Sequence, residues 1–485
     1  MRIKLINAFS ELGVFRKKIF FRFRPPPIAV ATLAALTPPD IEVSIIDMAI
    51  EEVDFDDPVD LVGISSMTPN VMEAYRVADE FRRRDVRVVL GGIHASMLPQ
   101  EAIQHADSVV IGEAEYLWEG VIRDFQKGRL KRFYFSSKEV DLKDSPVPRW
   151  ELIDPKKYNV FLLQISRGCP NKCRYCCVTK FLGKKMRFKP IENIKREMEI
   201  IHHIAPHKGI ALSGDNFGIN PLIAKQIVEL LKSFSFSGWA AQACVNIADE
   251  SELLQEMSES NCHSIMMGFE SFSVEALRWL GKAHINKPEE YMKKVEKIQS
   301  YRIPILAMFM AGADGETKED LEKVIDFVEK NKIPAAALVT LTPYPGTSIY
   351  EVLEKEGRIL HKDWSKYNQF DVCFKPKSMS TEELREKVLS ISERLLNYDS
   401  LYKRLSTSWR RGMGLHRKRW NFLRIGKLTL FLKGIKCLLK KGDWAKMWFI
   451  LRCLFNPYNP EHHFIYQLLD EREICEERRR VITNN

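Results

Sequence analysis

Cysteine is missing from the first 168 residues of this 485-residue chain, and the ten it has begin with Cys169, Cys173, Cys176 and Cys177, inside nine residues. A disulfide-stapled secreted domain spreads its cysteines through a small core, so that class is excluded. In a reducing cytosol such a cluster reads as a metal or Fe–S site. No uninterrupted apolar run approaches the ~18–20 residues of a spanning helix. The opening MRIKLINAF enters a strand-like pattern with no apolar h-region and no small-residue cleavage site, so a cytoplasmic protein is expected. Internal repeats and low-complexity stretches are missing too. With 45% hydrophobic and 28% charged residues the composition is that of a globular protein, not a disordered or collagenous one.

The positive charge is unevenly placed. Tyr402–Cys453 holds fifteen Lys/Arg against Asp443 alone, a surplus larger than the +10 of the whole chain. The body is therefore slightly acidic, and nucleic-acid binding by the whole protein is not implied.

What the chain does contain is alternation of strand and helix patterns. β-branched runs at Arg2–Ala8, Ile41–Met48, Asp60–Ser65, Val86–Gly91 and Ser108–Gly112 are separated by helical patterns at Pro27–Leu36, Val71–Arg84, Glu101–His105 and Tyr116–Phe125. Continuous apolar strands between amphipathic helices predict an α/β fold, with a doubly wound, Rossmann-like parallel sheet over residues 1–128. Residues 129–160 read as a linker. From 161 to 377 six longer units follow, with strands at Phe161–Ser166, Gly209–Leu212, Trp239–Ala243, Ser264–Gly268, Ile305–Met310 and Ala335–Thr340. They predict a partial (β/α)6 barrel, smaller than the closed eight-fold one. Residues 378–485 read as a basic, helical C-terminal region.

The most specific signal is Ser166-Arg-Gly-Cys169-Pro-Asn-Lys-Cys173-Arg-Tyr-Cys176, just after the first barrel strand. Three thiolates on one short loop can hold three irons of a [4Fe–4S] cube and leave the fourth open to a chelating substrate. A structural zinc site would need a fourth ligand. Cys177 starts too close to Cys176 to serve, which leaves Cys244 or Cys262.

Cys-x3-Cys-x-aromatic-Cys, with Tyr175 as the aromatic, resembles the radical S-adenosylmethionine (SAM) superfamily. The resemblance implies a [4Fe–4S] cluster on Cys169, Cys173 and Cys176, whose open iron binds the amino and carboxylate groups of SAM. One-electron reduction then releases a 5′-deoxyadenosyl radical. It also implies Tyr175 beside the adenine, Gly214 and Asp215 at the SAM amino group, Asn246 at a comparable strand end, and Gly268, Glu270 and Ser271 at the ribose.

In the first domain Gly63-Ile-Ser-Ser-Met-Thr-Pro-Asn70, Gly91-Gly-Ile-His-Ala-Ser96 and Gly112-Glu-Ala-Glu115 each follow a strand, at the edge where open α/β sheets bind ligands. On their own they say only that a cofactor edge exists, as in flavodoxin-like domains. Ahead of a radical SAM barrel, they resemble the cobalamin-binding domain of the B12-binding radical SAM proteins. That implies cobalamin contacts from Ser65, Ser66, Thr68, Gly91, Gly92, Gly112 and Glu113. The Asp-x-His-x-x-Gly lower-ligand motif is absent. His94 is the nearby candidate ligand, set against a loop histidine held in a hydrogen bond.

The basic tail interleaves Trp409, Trp420, Trp444 and Trp448 with its cations, the pattern of an interfacial membrane segment. Helices packed on the barrel, or an RNA surface, are the alternatives. The reading that leads is a cobalamin-dependent radical SAM methyltransferase acting on an unactivated carbon, of a lipid or isoprenoid if the tail touches the inner membrane face. By resemblance its reductant would be a flavodoxin or ferredoxin. Radical cyclisation, carbon–carbon coupling or oxidative rearrangement without methyl transfer is the second reading. A tRNA methylthio-transferase would carry cysteines before Cys169 and a β-rich C-terminal module. A non-catalytic corrinoid or electron-transfer protein would not need a vacant iron.

Overall fold

The computed structural model describes residues 1–10, 25–413 and 479. The first sheet has six parallel strands: β1 (Arg2–Asn7), β2 (Glu42–Asp47), β3 (Leu61–Ser65), β4 (Arg87–Gly91), β5 (Ser108–Ile111) and β6 (Phe133–Phe135). Their order is β2-β1-β3-β4-β5-β6, so the winding reverses between β1 and β3. Ligands bind such sheets outside the carboxyl ends of the strands beside that switch. Helix Val71–Arg83 buries Val71, Ala74, Tyr75, Val77, Ala78 and Phe81 on one face. Helices Ile28–Leu36 and Trp118–Gln126 cover the other with Val30, Ala34, Trp118 and Val121. Both faces are covered, as the continuous apolar strands require.

Two expectations for this half need correction. The span 129–160 is not a free linker. Phe133–Phe135 pairs with β5 through Val109↔Phe133 and extends the sheet, and Trp150 is fully buried edge-on against Phe161, ring centroids 5.6 Å apart. Three residues are too few to show a period in sequence, and the strand exists because β5 offers its free edge. The helix expected at Glu101–His105 begins earlier, at Pro99–Ala102, behind a further short helix Ile93–Met97. Proline is well suited to the first helical position, where no N–H is needed.

The second sheet follows chain order. Strands β7 (Val160–Gln164), β10 (Gly209–Ser213), β11 (Trp239–Ala243), β12 (Cys262–Glu270), β13 (Ile305–Ala311) and β14 (Ala335–Thr340) lie side by side and parallel, which gives the expected six-stranded partial barrel. Between β7 and β10 a small antiparallel ribbon, β8 (Ser166–Arg167) with β9 (Arg187–Phe188), closes the cysteine loop at its base. Helices Ile191–Ile204, Pro221–Ser233, Ser251–Glu259, Tyr291–Ser300 and Lys318–Lys330 pack their apolar stripes outside.

After β14 the chain turns back onto the first domain: Trp364 and Tyr367 are buried in its core. Helix Thr381–Leu395, with a capping box between Ser380 and Glu383, and helix Tyr398–Arg410 then pack on the barrel. Most of the basic tail lies outside the described residues. Of its cations inside them, Arg404 is 2% exposed and donates to the carbonyls of Ile333, Pro334 and Leu395, while Arg411 donates to Gln299 Oε1 at 2.9 Å. These two serve packing. Among the described residues no helix is long and apolar enough to cross a membrane.

Candidate active site

The cysteine loop starts where β7 ends. Ile165 N–H donates to Ser213 O at 2.9 Å, tying the chain to β10, and the ribbon β8–β9 follows. Gly168 then takes φ +86°, where a Cβ would lie 2.3 Å from Lys185 O and 3.1 Å from both Gly183 O and Leu182 O. Only glycine passes there, and Cys169 N–H donates to Gly183 O at 3.3 Å. Further along, Arg174 N–H donates to Leu280 O at 2.9 Å, and its guanidinium lies 5.5 Å over the Trp279 ring. The loop is thus tied to barrel backbone before Cys169 and again between Cys173 and Cys176.

Cys169, Cys173 and Cys176 feel one another electrostatically, so the loop gathers them. Burial raises all three thiols, Cys173 to about 11 and Cys176 to about 12. Iron binding therefore has to displace their protons. Among the described residues no three His, Cys, Asp or Glu side chains converge on one ion position. A cube does not ask that of them, because each thiolate holds a different iron. The donor set fits a three-cysteine cluster.

Around the loop the strand ends supply polar groups. Asp215, after β10, receives the Gly168 N–H, and burial lifts its carboxyl to about 6 against the pull of Arg167 and Arg187. Its Oδ2 is buried with no protein partner, which fits a carboxylate waiting for a cationic ligand group. Gly214 packs so closely that a Cβ would stand 2.7 Å from Ser166 Oγ. At the end of β12 a bulge between Gly268 and Glu270 puts Glu270 at φ +66°. There its Oε1 accepts from Tyr175 Oη at 2.8 Å and lies 3.4 Å from Lys282 Nζ. Tyr175 and Glu270, far apart in sequence, are therefore neighbours.

One of the expected SAM residues sits otherwise, and a second stands open to solvent. Ser271 is 2% exposed and its hydroxyl donates to Glu316 Oε1 at 2.5 Å, so it is committed to the core. Asn246 stands exposed on the turn Val245–Asp249. Lys282 and Asn286 carry no signal in the sequence. Lys282 is a buried cation 3.9 Å from Cys244 Sγ, and Asn286 Nδ2 holds the bulge through Gly268 O (2.8 Å) and Phe269 O (2.7 Å). Neither belongs to a motif; only the helix after β12 brings them there.

The first sheet presents a rim. Ser66 N–H donates to Gly91 O at 3.3 Å, and Gly92, at φ +91°, would put a Cβ 2.6 Å from Ser66 O. Ser96 Oγ donates to Gly92 O (2.8 Å) and accepts from Gly112 N–H (2.9 Å). The ends of β3, β4 and β5 are so joined, while the space above Gly112 is open and Met67 is 59% exposed. A rim of small residues under open space fits a large flat ligand. Ser65 and Ser66 lie on it.

His94 does not belong to that rim. It is fully buried, with Nδ1 3.2 Å from Thr68 Oγ1, Nε2 3.3 Å from Glu101 Oε1, and Trp364 edge-on at 5.2 Å. Trp364 Nε1 and Tyr75 Oη donate to the same Glu101 oxygen. With both nitrogens engaged and no exposed edge, His94 is a core histidine and not a metal ligand in this conformation; Thr68 is its partner. Glu113 is also diverted: its carboxylate meets Arg167 at 2.7 Å and Arg187 at 2.8 Å.

Rim and cysteine loop face each other. Helix Ile93–Met97 lies against the short helix Val178–Phe181 that follows the cysteines, and Met97 fills the place a Cβ on Gly346 would take.

Comparison with known proteins agrees with this layout. Residues 163–328 match the family described as the radical SAM superfamily, and residues 21–122 match the B12 binding domain. The chain is 30% identical over 371 residues to bacteriochlorophyllide d C-8(2)-methyltransferase of Chlorobaculum tepidum, covering 72% of this chain and 80% of that protein. It is 27% identical over 349 residues to hopanoid C-2 methylase of Rhodopseudomonas palustris, covering 70% and 66%. The fold is shared with the cobalamin-dependent SAM radical enzyme OxsB, solved with aqua-cobalamin and SAM bound. There the TM-score is 0.65 at 14% identity, covering 100% of this chain and 80% of that one.

Proposed function

The chain belongs to the radical SAM superfamily, in the group that carries a B12-binding domain, and from that premise we propose that it is a methyltransferase acting on an unactivated carbon. The observation that carries this reading is the meeting of the two candidate sites: the rim of the first sheet opens beside the cysteine loop of the second. When bound, the cluster and SAM supply a carbon-centred radical and the corrinoid supplies the methyl group. Both must reach one substrate carbon, and cofactors on opposite faces could not do that.

The chain's own residues bind and orient. Cys169, Cys173 and Cys176 would hold the cluster. Asp215 would take the SAM amino group on its partnerless oxygen, and Tyr175, held by Glu270, would line the adenine. Lys282 supplies a buried positive charge beside Cys173 and Cys244. The rim residues Ser65, Ser66, Gly91, Gly92 and Gly112 would carry the corrinoid.

For the substrate we infer a large, mostly apolar molecule, a lipid or macrocycle. Support comes from the relatives named for bacteriochlorophyllide and hopanoid methylation. An acidic one-electron carrier of the flavodoxin or ferredoxin type is the matching reductant. From Ser166 to Pro190 the chain has no Asp or Glu, and Lys172, Lys184 and Lys185 are exposed there.

The test is stoichiometric. Protein loaded with cobalamin without oxygen is given SAM, a low-potential reductant and membrane lipid extract. S-adenosylhomocysteine and 5′-deoxyadenosine formed in equal amounts support methyl transfer. Deoxyadenosine alone, from protein that has kept its cobalamin, replaces it with a radical rearrangement.

A further inference from the structure

Four enclosed charges stand between the two candidate sites. Glu113 and Glu115 come from the turn after β5, at the rim; Arg167 and Arg187 come from the ribbon β8–β9 at the base of the cysteine loop. Arg167 reaches Glu113 Oε1 at 2.7 Å and Glu115 Oε1 at 2.6 Å, and Arg187 reaches Glu113 Oε2 at 2.8 Å. The side chains are 6–10% exposed. The connecting segment joins them: Val140 N–H donates to Glu113 Oε2 at 3.2 Å, Val140 O accepts from Arg187, and Ser145 Oγ donates to Glu115 Oε1 at 3.4 Å. Arg187 also donates to Leu182 O at 2.6 Å, the turn that receives Gly168.

Glu113 and Glu115 offset the two arginines, with half-exposed Glu139 a further 3.9 Å from Arg187 Nε, which makes their burial tolerable. Such pairs add little over apolar packing, but losing one partner strands the other, so their use is register rather than stability. What is registered here is the rim against the loop, two residues before Cys169. A radical and a methyl donor must converge on one carbon, and a displacement near 1 Å costs about a hundredfold in rate.

We propose that Glu113, Glu115, Arg167 and Arg187 form a positioning clamp that sets the distance and orientation between the corrinoid rim and the cluster loop, with Glu113 serving the clamp and not the corrinoid. The proposal rests on the reading that both cofactors bind.

The experiment uses Glu113→Gln in the full chain, loaded with cluster and cobalamin without oxygen. Glutamine keeps an acceptor for Val140 N–H and removes the charge. Hydrogen exchange at the β8 and β9 amides and at Cys169 should quicken by about tenfold or more. The dipolar coupling between cob(II)alamin and the reduced cluster should broaden, with iron and cobalamin contents unchanged. Unaltered exchange and coupling would overturn the clamp, as would loss of cobalamin with the ribbon undisturbed, which would make Glu113 a corrinoid contact. Arg187→Lys, which keeps the charge but not the fork, should fall between; it carries the same comparison if Glu113→Gln does not fold. Wild-type protein that takes no cobalamin would end the methyltransferase reading, while the exchange arm would still decide the clamp.

Discussion

Substitution of Gly168 by alanine should disarm the site while sparing the fold. A residue with a Cβ at φ +86° costs about 1–2 kcal/mol from conformation alone. The new methyl would also stand 2.3 Å from Lys185 O, with Gly183 O and Leu182 O at 3.1 Å. All three neighbours are backbone, so no rotamer relieves the contact, and the 182–185 turn must retreat by about 1 Å. That retreat breaks the 3.3 Å bond from Cys169 N–H to Gly183 O, worth about 1 kcal/mol. It also strains the charged 2.6 Å bond from Arg187 to Leu182 O, worth about 1.5–3 kcal/mol. About 3.5–6 kcal/mol then falls on the cysteine loop and not on either sheet. Iron and sulfide content after anaerobic reconstitution at limiting iron should drop well over tenfold, and the thermal transition of the barrel should move little. Gly120→Ala is the control. It lies in helix Trp118–Gln126 with Arg123 Nη2 at 3.8 Å as its nearest neighbour, and should gain about 0.5–1 kcal/mol with a full cluster. Wild-type iron content and EPR signal in Gly168→Ala would refute the reasoning.

Other expectations follow from single side chains. Burial lifts the Glu316 carboxyl from 4.5 to about 8, while the unfolded chain ionises at the lower value. Between those pH values the folded protein holds one proton more, so stability falls as pH rises, by at most roughly 1.4 kcal/mol per unit. Glu316→Gln mimics the protonated form, and its melting temperature should gain on wild type between about pH 5.5 and 8.5; a constant difference rules this out. His94→Gln should cost about 1–2 kcal/mol in urea unfolding and leave the cob(II)alamin EPR spectrum as it was. A nitrogen splitting present in wild type and lost in the variant would restore His94 as a ligand. Cys177→Ala should keep its iron, and Cys173→Ala should lose it. Iron analysis of the pair decides whether Cys173, and not Cys177, holds the cluster.

Much of the architecture was legible because it is local. Continuous apolar strands alternating with amphipathic helices can only stack as parallel sheets covered on both faces, and strands such as Trp239–Ala243 and Ala335–Thr340 coincide with their sequence patterns. The cysteine loop was legible for a similar reason: Cys169, Cys173 and Cys176 lie within eight residues, so spacing alone brings them together. Gly92 and Gly112 could be picked out as rim residues because each stands just past a strand.

What could not be read were choices made between distant residues. The sequence marks Glu113 and His94 as polar groups beside a cofactor edge, but only packing decides whether their atoms face a ligand or each other's neighbours. Arg167 and Arg187, 54 and 74 residues after Glu113, take up its carboxylate, and Trp364 and Glu101 close over His94. The same holds for Tyr175 and Glu270, 95 residues apart and joined by one hydrogen bond. Periodicity and short motifs constrain the backbone within a few turns. The satisfaction of buried charges is settled across the whole molecule, since an enclosed carboxylate takes whichever cation the fold delivers.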